Sequence, residues 1–539
     1  MSDAASQNGP MLAADGTPLK RSLARALRAQ KLRALALIAP LLVFILVTFI
    51  APIVDMLFRS VENQIVSETL PRTVIALEDW DPSDLPSDAV YAALAYDVME
   101  ASERRLHTRL GSRLNYETTG MSSLFRRTGR GVDDVGEDFA EQFHDLDPMW
   151  EDPATLAAIY GDPDWVVAQS ADLDGPGERF ASNAQARQFL PESADAYRSF
   201  ALTIQQLDDD NPAAEEPWNT FYLALWRDLT LLDQTGYDGP NADLIQAAAI
   251  AAQDFDGLGP RAAFEDIDDD WLDLEIWATI DAFSDPYTAG YFLAAIDLQL
   301  TPQGVEAQPE DQRIYLLLFQ RTILMSLAIM MLCVLLGYPV AYLLSNLPSR
   351  TSNLLLILVL LPFWTSLLVR TSAWKVLLQQ QGVVNDVLVW LGVVADGARL
   401  ALINNQLGTV IAMTHILLPF MILPLFSVMK TIPPSYMRAA KSLGATNFTA
   451  FRRVYFPQSV PGIGAGCILV FILAIGYYIT PELVGGRTGT FISNRIAFHI
   501  SSSLNWGLAA ALGSILLALV LVLYWLYDRI VGIDNVKLG

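Results

Sequence analysis

Six apolar runs punctuate the chain, at 36–58, 316–344, 353–375, 407–429, 463–484 and 507–531. Each is close to the ~20 residues a helix needs to cross a bilayer. Between the first two lies a long polar stretch, 61–312. Its apolar spacing predicts helices at 88–110, 184–207, 218–234, 240–254 and 276–299, broken by Asp-Pro, Gly-Pro and Gly-Asp turns. Alternating strand patterns are scarce and no internal repeat is evident. Between the fourth and fifth runs, residues 431–462 are basic, amphipathic and too polar for lipid. There Pro433 and Pro434 stop the preceding run, and Ser435 reads as the N-cap of a helix through Tyr436, Ala439, Ala440 and Leu443. Gly444 then ends that helix, and Asn447 or Thr449 starts a second one that stops before Pro457.

Charge divides the chain in two. The net charge is −24 although 52% of residues are hydrophobic. Residues 61–312 hold 51 of the 59 acids and 13 of the 35 bases, all arginine, leaving 22 bases against 8 acids elsewhere. A basic membrane part thus carries an acidic soluble part. Trp150, Trp165, Trp218, Trp226, Trp271 and Trp277 are too many aromatics for a disordered insertion. Its lack of lysine beside so many aspartates suggests a salt-tolerant surface. Cys333 and Cys467 both fall in apolar runs, which excludes a disulfide framework.

Lys20, Arg21, Arg25, Arg28, Lys31 and Arg33 precede the first run, which is long enough to stay as a span rather than be cleaved. The positive-inside rule then puts the start of the chain in the cytoplasm. Six spans return both ends to that side, and the 430–457 loop must share it. That loop carries Lys430, Arg438, Lys441, Arg452 and Arg453 and no acid. Arg529 and Lys537 agree, offset by Asp528 and Asp534. The expected layout is a cytoplasmic tail at 1–35, a first span at 36–58, an external or periplasmic domain at 61–312, a membrane core at 313–532 containing the 430–460 loop, and a cytoplasmic tail at 533–539.

In the loop, Ala439-Ala440 is followed by Gly444, nine residues, then Val454-Tyr455-Phe456-Pro457. This resembles the EAA signature of binding-protein-dependent ABC importer permeases: Glu-Ala-Ala, three residues, Gly, nine residues, Ile, one residue, Leu-Pro. The resemblance implies coupling helices that dock on a cytoplasmic ATPase, with Ser435, Arg438, Ala439, Ala440, Gly444 and Pro457 as the coupling-loop residues. Arg438 departs from the pattern, which has Glu there. With Ser435 as N-cap it would stand at N3, where Glu would complete a capping box. Its expected compensation is an acid on the partner.

Other stretches resemble the spermidine/putrescine-type branch: Leu336-Gly337-Tyr338-Pro339, Leu361-Pro362-Phe363-Trp364-Thr365-Ser366, Leu417-Leu418-Pro419-Phe420 and Tyr478-Ile479-Thr480-Pro481-Glu482. The implied fold is an all-α membrane protein, a type I ABC importer permease fold with six transmembrane helices and a large, mainly helical external insertion. Residues 61–312 have no counterpart in that resemblance. They are expected to shape binding-protein docking or to act as a tethered capture domain. The implied partners are cytoplasmic ATP-binding cassette subunits, a second permease subunit, a periplasmic solute-binding protein and membrane lipid; nothing points to nucleic acid. The chain has no phosphate-binding G-x-x-x-x-G-K-[ST] loop, so it is expected to be a transport subunit and not an ATPase.

For a polycationic solute a path needs carboxylates and aromatic faces. The candidates are Asp55, Trp364, Tyr477, Tyr478 and Glu482, near the outer ends of spans, with Arg370 and Trp374 close by. His415 reads as a packed, hydrogen-bonded residue rather than a ligand. Pro339, Pro362, Pro419 and Pro424 predict kinks. The acidic run Asp266, Asp268, Asp269, Asp270, Asp273 and Glu275 fails as a calcium loop, because positions 271 and 277 are Trp where Gly and Glu are needed. It reads as a solvated face, as does Asp172-Leu173-Asp174-Gly175. His107 and His144 lack metal-site spacing, and no cofactor is expected. The expected function is import of a polyamine or a related small cationic or amino-acid-like solute. The rival, a membrane-anchored sensor, would need a cytoplasmic output domain, and no cytoplasmic segment exceeds about 35 residues, short of the ~50 a domain takes.

Overall fold

The computed structural model describes residues 19–171, 175–234, 236–301 and 304–531. Residues 1–18, Asp172, Asp174 and the 533–539 tail therefore lie outside the described residues. Among the described residues five helices are long and apolar enough to span a membrane: Gln30–Arg59, Tyr315–Asn346, Gln406–Thr431, Asn447–Gly476 and Trp506–Arg529. Two more helices, Ser349–Trp364 and Leu367–Leu377, are long and apolar enough together but are bent by 93°, the geometry of a broken span or a re-entrant loop; counted as one span they bring the total to six.

That bend corrects the straight span expected at 353–375. Pro362 has no amide hydrogen to donate, and the helix tightens into a 3-10 turn over Leu361–Trp364. Thr365 is extended, and the Ser366 side chain accepts from the Val369 amide to start the next helix. The fifth span is also displaced. Helix runs unbroken through a π-turn at Phe451–Tyr455, with Pro457 in the first turn after it, and ends at Gly476. Pro457 therefore does not stop a helix, and residues 479–484 form a separate short helix, Ile479–Val484. Pro339, Pro419 and Pro424 sit inside continuous helices.

The Tyr315–Asn346 helix sets the axis of the molecule. At 32 residues it is about 48 Å long. The inserted domain sits at its start, where the Asp297 carboxylate accepts from the amides of Ile314, Tyr315 and Leu316 at 2.8–3.0 Å. The polar 430–460 loop sits at its end, where Tyr455 Oη meets Ser345 Oγ at 3.1 Å and Lys430 Nζ donates to the Ser345 carbonyl at 3.4 Å. A membrane crossed by this helix separates the two.

The inserted domain is helical around an aromatic core, with Trp150, Trp271, Trp277, Tyr91, Tyr160 and Tyr222 fully buried. Several expected helices are split. Residues 88–110 form Asp88–Glu103 and His107–Leu114, parted at Arg105 (φ +55°). Residues 184–207 form Ala184–Phe189 and Pro191–Leu207. The 276–299 expectation resolves into Leu274–Ala282, Gly290–Ala294 and the strand Leu298–Thr301, which pairs antiparallel with Gly304–Ala307.

The expectation of no internal repeat is corrected by this packing. Two halves carry the same residues, with one Thr-for-Ser exchange, in the same order: Asn63 and Asn183, Leu70-Pro71 and Leu190-Pro191, Thr73 and Ser193, Tyr91 and Tyr222, Asp97 and Asp228. The series continues with Phe143 and Phe264, Asp147 and Asp268, Trp150 and Trp271, Asp152 and Asp273, Asp162-Pro163 and Asp285-Pro286. Matched residues make matched contacts. The Asp97 carboxylate accepts from the Thr73 amide and hydroxyl at 2.8 Å each, and Asp228 accepts from those of Ser193 at 2.8 and 2.7 Å. The halves also exchange partners. Tyr91 Oη donates to the Trp271 carbonyl at 2.8 Å, and Tyr222 Oη to the Trp150 carbonyl at 2.9 Å. Neither half completes its own core.

Burial lifts Asp97 to about 6 and Asp228 to about 7, against the downward pull of Arg72 and the Thr73 donors on Asp97 and of the Ser193 donors on Asp228. Both values lie above the unfolded 3.8, so the fold binds protons more tightly than the open chain. The stabilisation is full below about pH 4 and is lost as pH rises through 6 to 7. Thermal melting of the domain is expected at higher temperature at pH 5 than at pH 8, with Asp228 supplying on the order of 3 kcal/mol of the difference. Asp228→Asn should flatten the profile; an unchanged slope in that variant contradicts the assignment.

Candidate functional site

The basic loop folds as two short helices. Pro433 is the N-cap and Pro434 the first helical residue of Pro434–Ser442. Ser435 thus lies in the first turn and is not the cap. Arg438 stands a turn inside the helix rather than at N3, so no capping box is lost by its being arginine. Its guanidinium is exposed and has no side-chain partner among the described residues. The helix ends in a Schellman turn: the Gly444 amide donates to Lys441 and the Ala445 amide to Ala440, at 3.0 and 3.1 Å. Gly444 has φ +87°, a conformation that side chains other than glycine's rarely adopt. Thr446 then caps Asn447–Ala450 by accepting from the Thr449 amide at 3.2 Å. Asn447 begins the second helix, as one of the two expected starts; the cap was not foreseen. Ala439 is exposed and Ala440 half-buried. Tyr436, Leu443 and Phe448 are 50%, 90% and 71% exposed. An apolar ridge with a basic flank therefore projects from this end of the bundle.

The loop is keyed to the long helix by rings that the sequence reading passed over. Tyr342 packs edge-on against Phe451 and Tyr455, at 5.7 and 5.1 Å between centroids. Tyr338 meets Phe451 at 6.2 Å, and its hydroxyl bonds Ser459 Oγ at 2.9 Å. These contacts join the short helices to residues 338–345. Tyr342→Ala is expected to weaken this joint by about 1 kcal/mol beyond the area lost, read as a lower melting temperature of the detergent-purified protein. An unchanged melting temperature would contradict the joint.

At the opposite end the bent pair and the 477–505 segment form a polar cluster. The Leu367–Leu377 helix packs on Ile479–Val484, with Thr371 and Thr480 hydroxyls 3.1 Å apart in the buried contact. Glu482 is exposed, and one oxygen accepts from Asn494 Nδ2 at 2.7 Å. The same Asn494 amide donates to the Tyr478 carbonyl at 2.9 Å, and Ser493 Oγ to the Tyr477 carbonyl at 2.7 Å. Tyr477 is half-buried and Tyr478 is 47% exposed. These three candidates are brought together.

Trp364 sits at the bend and is 80% exposed. Asp55 stands apart on the Gln30–Arg59 helix, which packs on the last span, and pairs with Arg59 at 2.9 Å. His415 is hydrogen-bonded as expected, accepting at Nδ1 from Trp374 Nε1 at 3.0 Å. It is exposed rather than packed away. Asn494 was missed because a lone asparagine in a semi-polar segment carries no spacing signal.

The acidic run of the inserted domain has structural work. Asp268 and Asp273 cap the short helices that follow them, and Arg127 pairs with Asp268 and Asp270. His144 bonds Tyr222 Oη at 3.0 Å. Among the described residues no His/Cys/Asp/Glu group fits a metal ion.

Five long apolar helices and a bent pair, with a two-helix polar element fixed at one end, define a multi-span membrane transport subunit. Residues 321–531 match the family described as binding-protein-dependent transport system inner membrane component. The chain is 36% identical over 204 residues to the spermidine/putrescine transport system permease protein PotB of Haemophilus influenzae, covering 37% of this chain and 71% of that protein. It is 35% identical over 211 residues to PotB of Escherichia coli K12, covering 39% and 76%. With the inner membrane ABC transporter permease protein YdcU of E. coli K12 the identity is 33% over 238 residues, covering 42% and 74%. The chain belongs to this family of inner membrane components, and it is the permease subunit of an ABC importer near the PotB branch. Residues 61–312 lie outside the family match.

Proposed function

We propose that the chain passes a polyamine, or a related small organic cation, through the membrane under the drive of separate ATPase subunits. The observation that carries this reading is the 434–450 helix pair, exposed, basic and keyed by aromatic rings to the foot of the 315–346 helix. Its chain start, chain end and 430–460 loop face the cytoplasm in this reading, and residues 61–312 face outward. A loaded solute-binding protein docks on the outer side, ATP closes two cytoplasmic subunits, and the helix pair carries that motion to the spans. A second permease subunit, homologous or identical, completes the path. Ser435, Arg438, Ala439, Ala440 and Gly444 form the docking element; Pro457 belongs to the helix that follows. Arg438, exposed and unpaired, meets an acid of the ATPase.

Solute is met by Glu482, Tyr477 and Tyr478, with Trp364 at the bend. Glu482 supplies the carboxylate, since Asp55 is already paired within its own helix. Asn494 fixes the carboxylate that a cation would meet. A charge-assisted contact of this kind is worth roughly 1.5–3 kcal/mol, so Glu482→Gln is expected to raise the half-saturating solute concentration about tenfold or more. Uptake kinetics of labelled spermidine in proteoliposomes test this. An unchanged concentration dependence would remove Glu482 from the path.

A further inference from the structure

The inserted domain is joined to the spans without a linker at either end. The first span runs to Arg59, Ser60 is buried, and the next residues pair directly with the domain's far end. The Asn63 amide donates to the Pro286 carbonyl at 2.9 Å and the Thr288 amide to the Val61 carbonyl at 2.8 Å. Where the chain leaves the domain, Asp297 closes the start of the 315–346 helix through three amides. Both crossings are therefore hydrogen-bonded into the fold, which corrects the expectation of a tethered domain.

A lateral seat reinforces the two joints. The Tyr291 ring lies on Gly507, at the start of the last span, so closely that a Cβ there would collide with it. Arg113 holds that ring in place: its Nε donates to Tyr291 Oη at 2.8 Å and its guanidinium stacks 4.7 Å from the ring centroid. Tyr116 Oη donates to the Ser503 carbonyl at 2.7 Å. Arg113 belongs to the His107–Leu114 helix and Tyr116 follows it closely. This helix has no helical counterpart in the second half of the repeat among the described residues. The duplicated halves thus differ where one of them meets the membrane core.

We infer that the inserted domain is a rigid lever keyed to the 315–346 and 506–531 helices, moving with them as one body. A protein that docks on the domain then acts directly on two spanning helices, one of which ends at the coupling loop. The inference rests on the permease reading only in supposing that those helices move.

Spin labels at Val167, on the exposed surface of the domain, and at Leu504, beside the seat, test it in the full chain. Cys333 and Cys467 are replaced by serine, and the chain is held in lipid nanodiscs with the ATPase subunits proposed as its partners. One narrow distance distribution is expected, the same without nucleotide and after trapping with ATP and vanadate. Gly507→Leu should broaden that distribution and abolish stimulation of uptake by the binding protein, while the ATPase still co-purifies. A Val167–Leu504 distance that shifts or broadens with nucleotide in the intact seat overturns the lever. So does a Gly507→Leu protein with both readouts unchanged. The distance measurement needs no solute, so its failure leaves the transport reading standing, and a failure to transport polyamine leaves the distance result standing.

Discussion

Gly444→Val is expected to stop the proposed ATP-driven uptake while the protein still reaches the membrane. The residue holds φ +87° at the turn between the two short helices Pro434–Ser442 and Asn447–Ala450, and among the described residues no neighbour lies within 4 Å of where a Cβ would stand. The cost is therefore in the backbone and not in a clash. The left-handed conformation costs an ordinary L-residue ~1–2 kcal/mol, and a β-branched one is a true outlier there. The two helices are short, and none of the residues of Pro434–Ser442 is buried. So little packing opposes the strain that it is relieved by reorienting the helix pair. Gly444→Asn should keep much of the activity, because asparagine tolerates this region. Co-purification of the ATPase and uptake should fall together in the valine variant. Full uptake with valine at 444 would mean that the turn is not what transmits the motion.

Trp271→Ala is expected to unfold the inserted domain under conditions where the membrane core survives. Trp271 is fully buried, and its rings meet Phe125, Phe264 and Trp277 at 5.4–5.5 Å between centroids. Its indole donates to Thr128 Oγ1 at 2.9 Å, and its carbonyl accepts from Tyr91 and Trp277. Removing so large a side chain costs roughly 3–5 kcal/mol. For a domain of this size that is a fall of roughly 6–20 °C in melting temperature. Trp150→Ala occupies the matched place in the other half but should cost less, because the Trp150 indole nitrogen has no hydrogen-bond partner among the described residues. Because each half completes the other's core, either variant should melt the whole domain in a single transition. Two separate transitions would contradict the exchanged packing.

Much of this was legible in the apolar pattern. Long runs at 316–344, 407–429 and 507–531 became helices within a residue or two of their expected limits, since twenty apolar side chains have few other ways to satisfy their backbone. Gly444 was legible for a related reason: a short helix needs a left-handed stop. What failed were features that depend on a neighbour. The 93° bend at Pro362 is not separable by sequence from the prolines at 339, 419 and 424, which stay within helices because surrounding spans hold them. The Ser435 cap yielded to Pro433 because Pro434, whose fixed φ is already helical, takes the first helical position and starts the helix earlier. The repeat in the inserted domain hid because its matched blocks are separated by segments of unequal length, and only core positions kept their identity. Glu482 and Tyr478 were visible as residue types, whereas Asn494, which donates to the Glu482 carboxylate and the Tyr478 backbone carbonyl, was not.

ATP-dependent uptake of labelled spermidine into proteoliposomes is the most direct test of the account. The chain is reconstituted with the ATPase subunits and the solute-binding protein proposed as its partners, and compared with the Gly444→Val variant. The account predicts saturable accumulation that requires ATP and the binding protein and disappears in the variant. Accumulation that persists in the variant, or a wild-type complex that hydrolyses ATP and moves no polyamine or related cation, would contradict it.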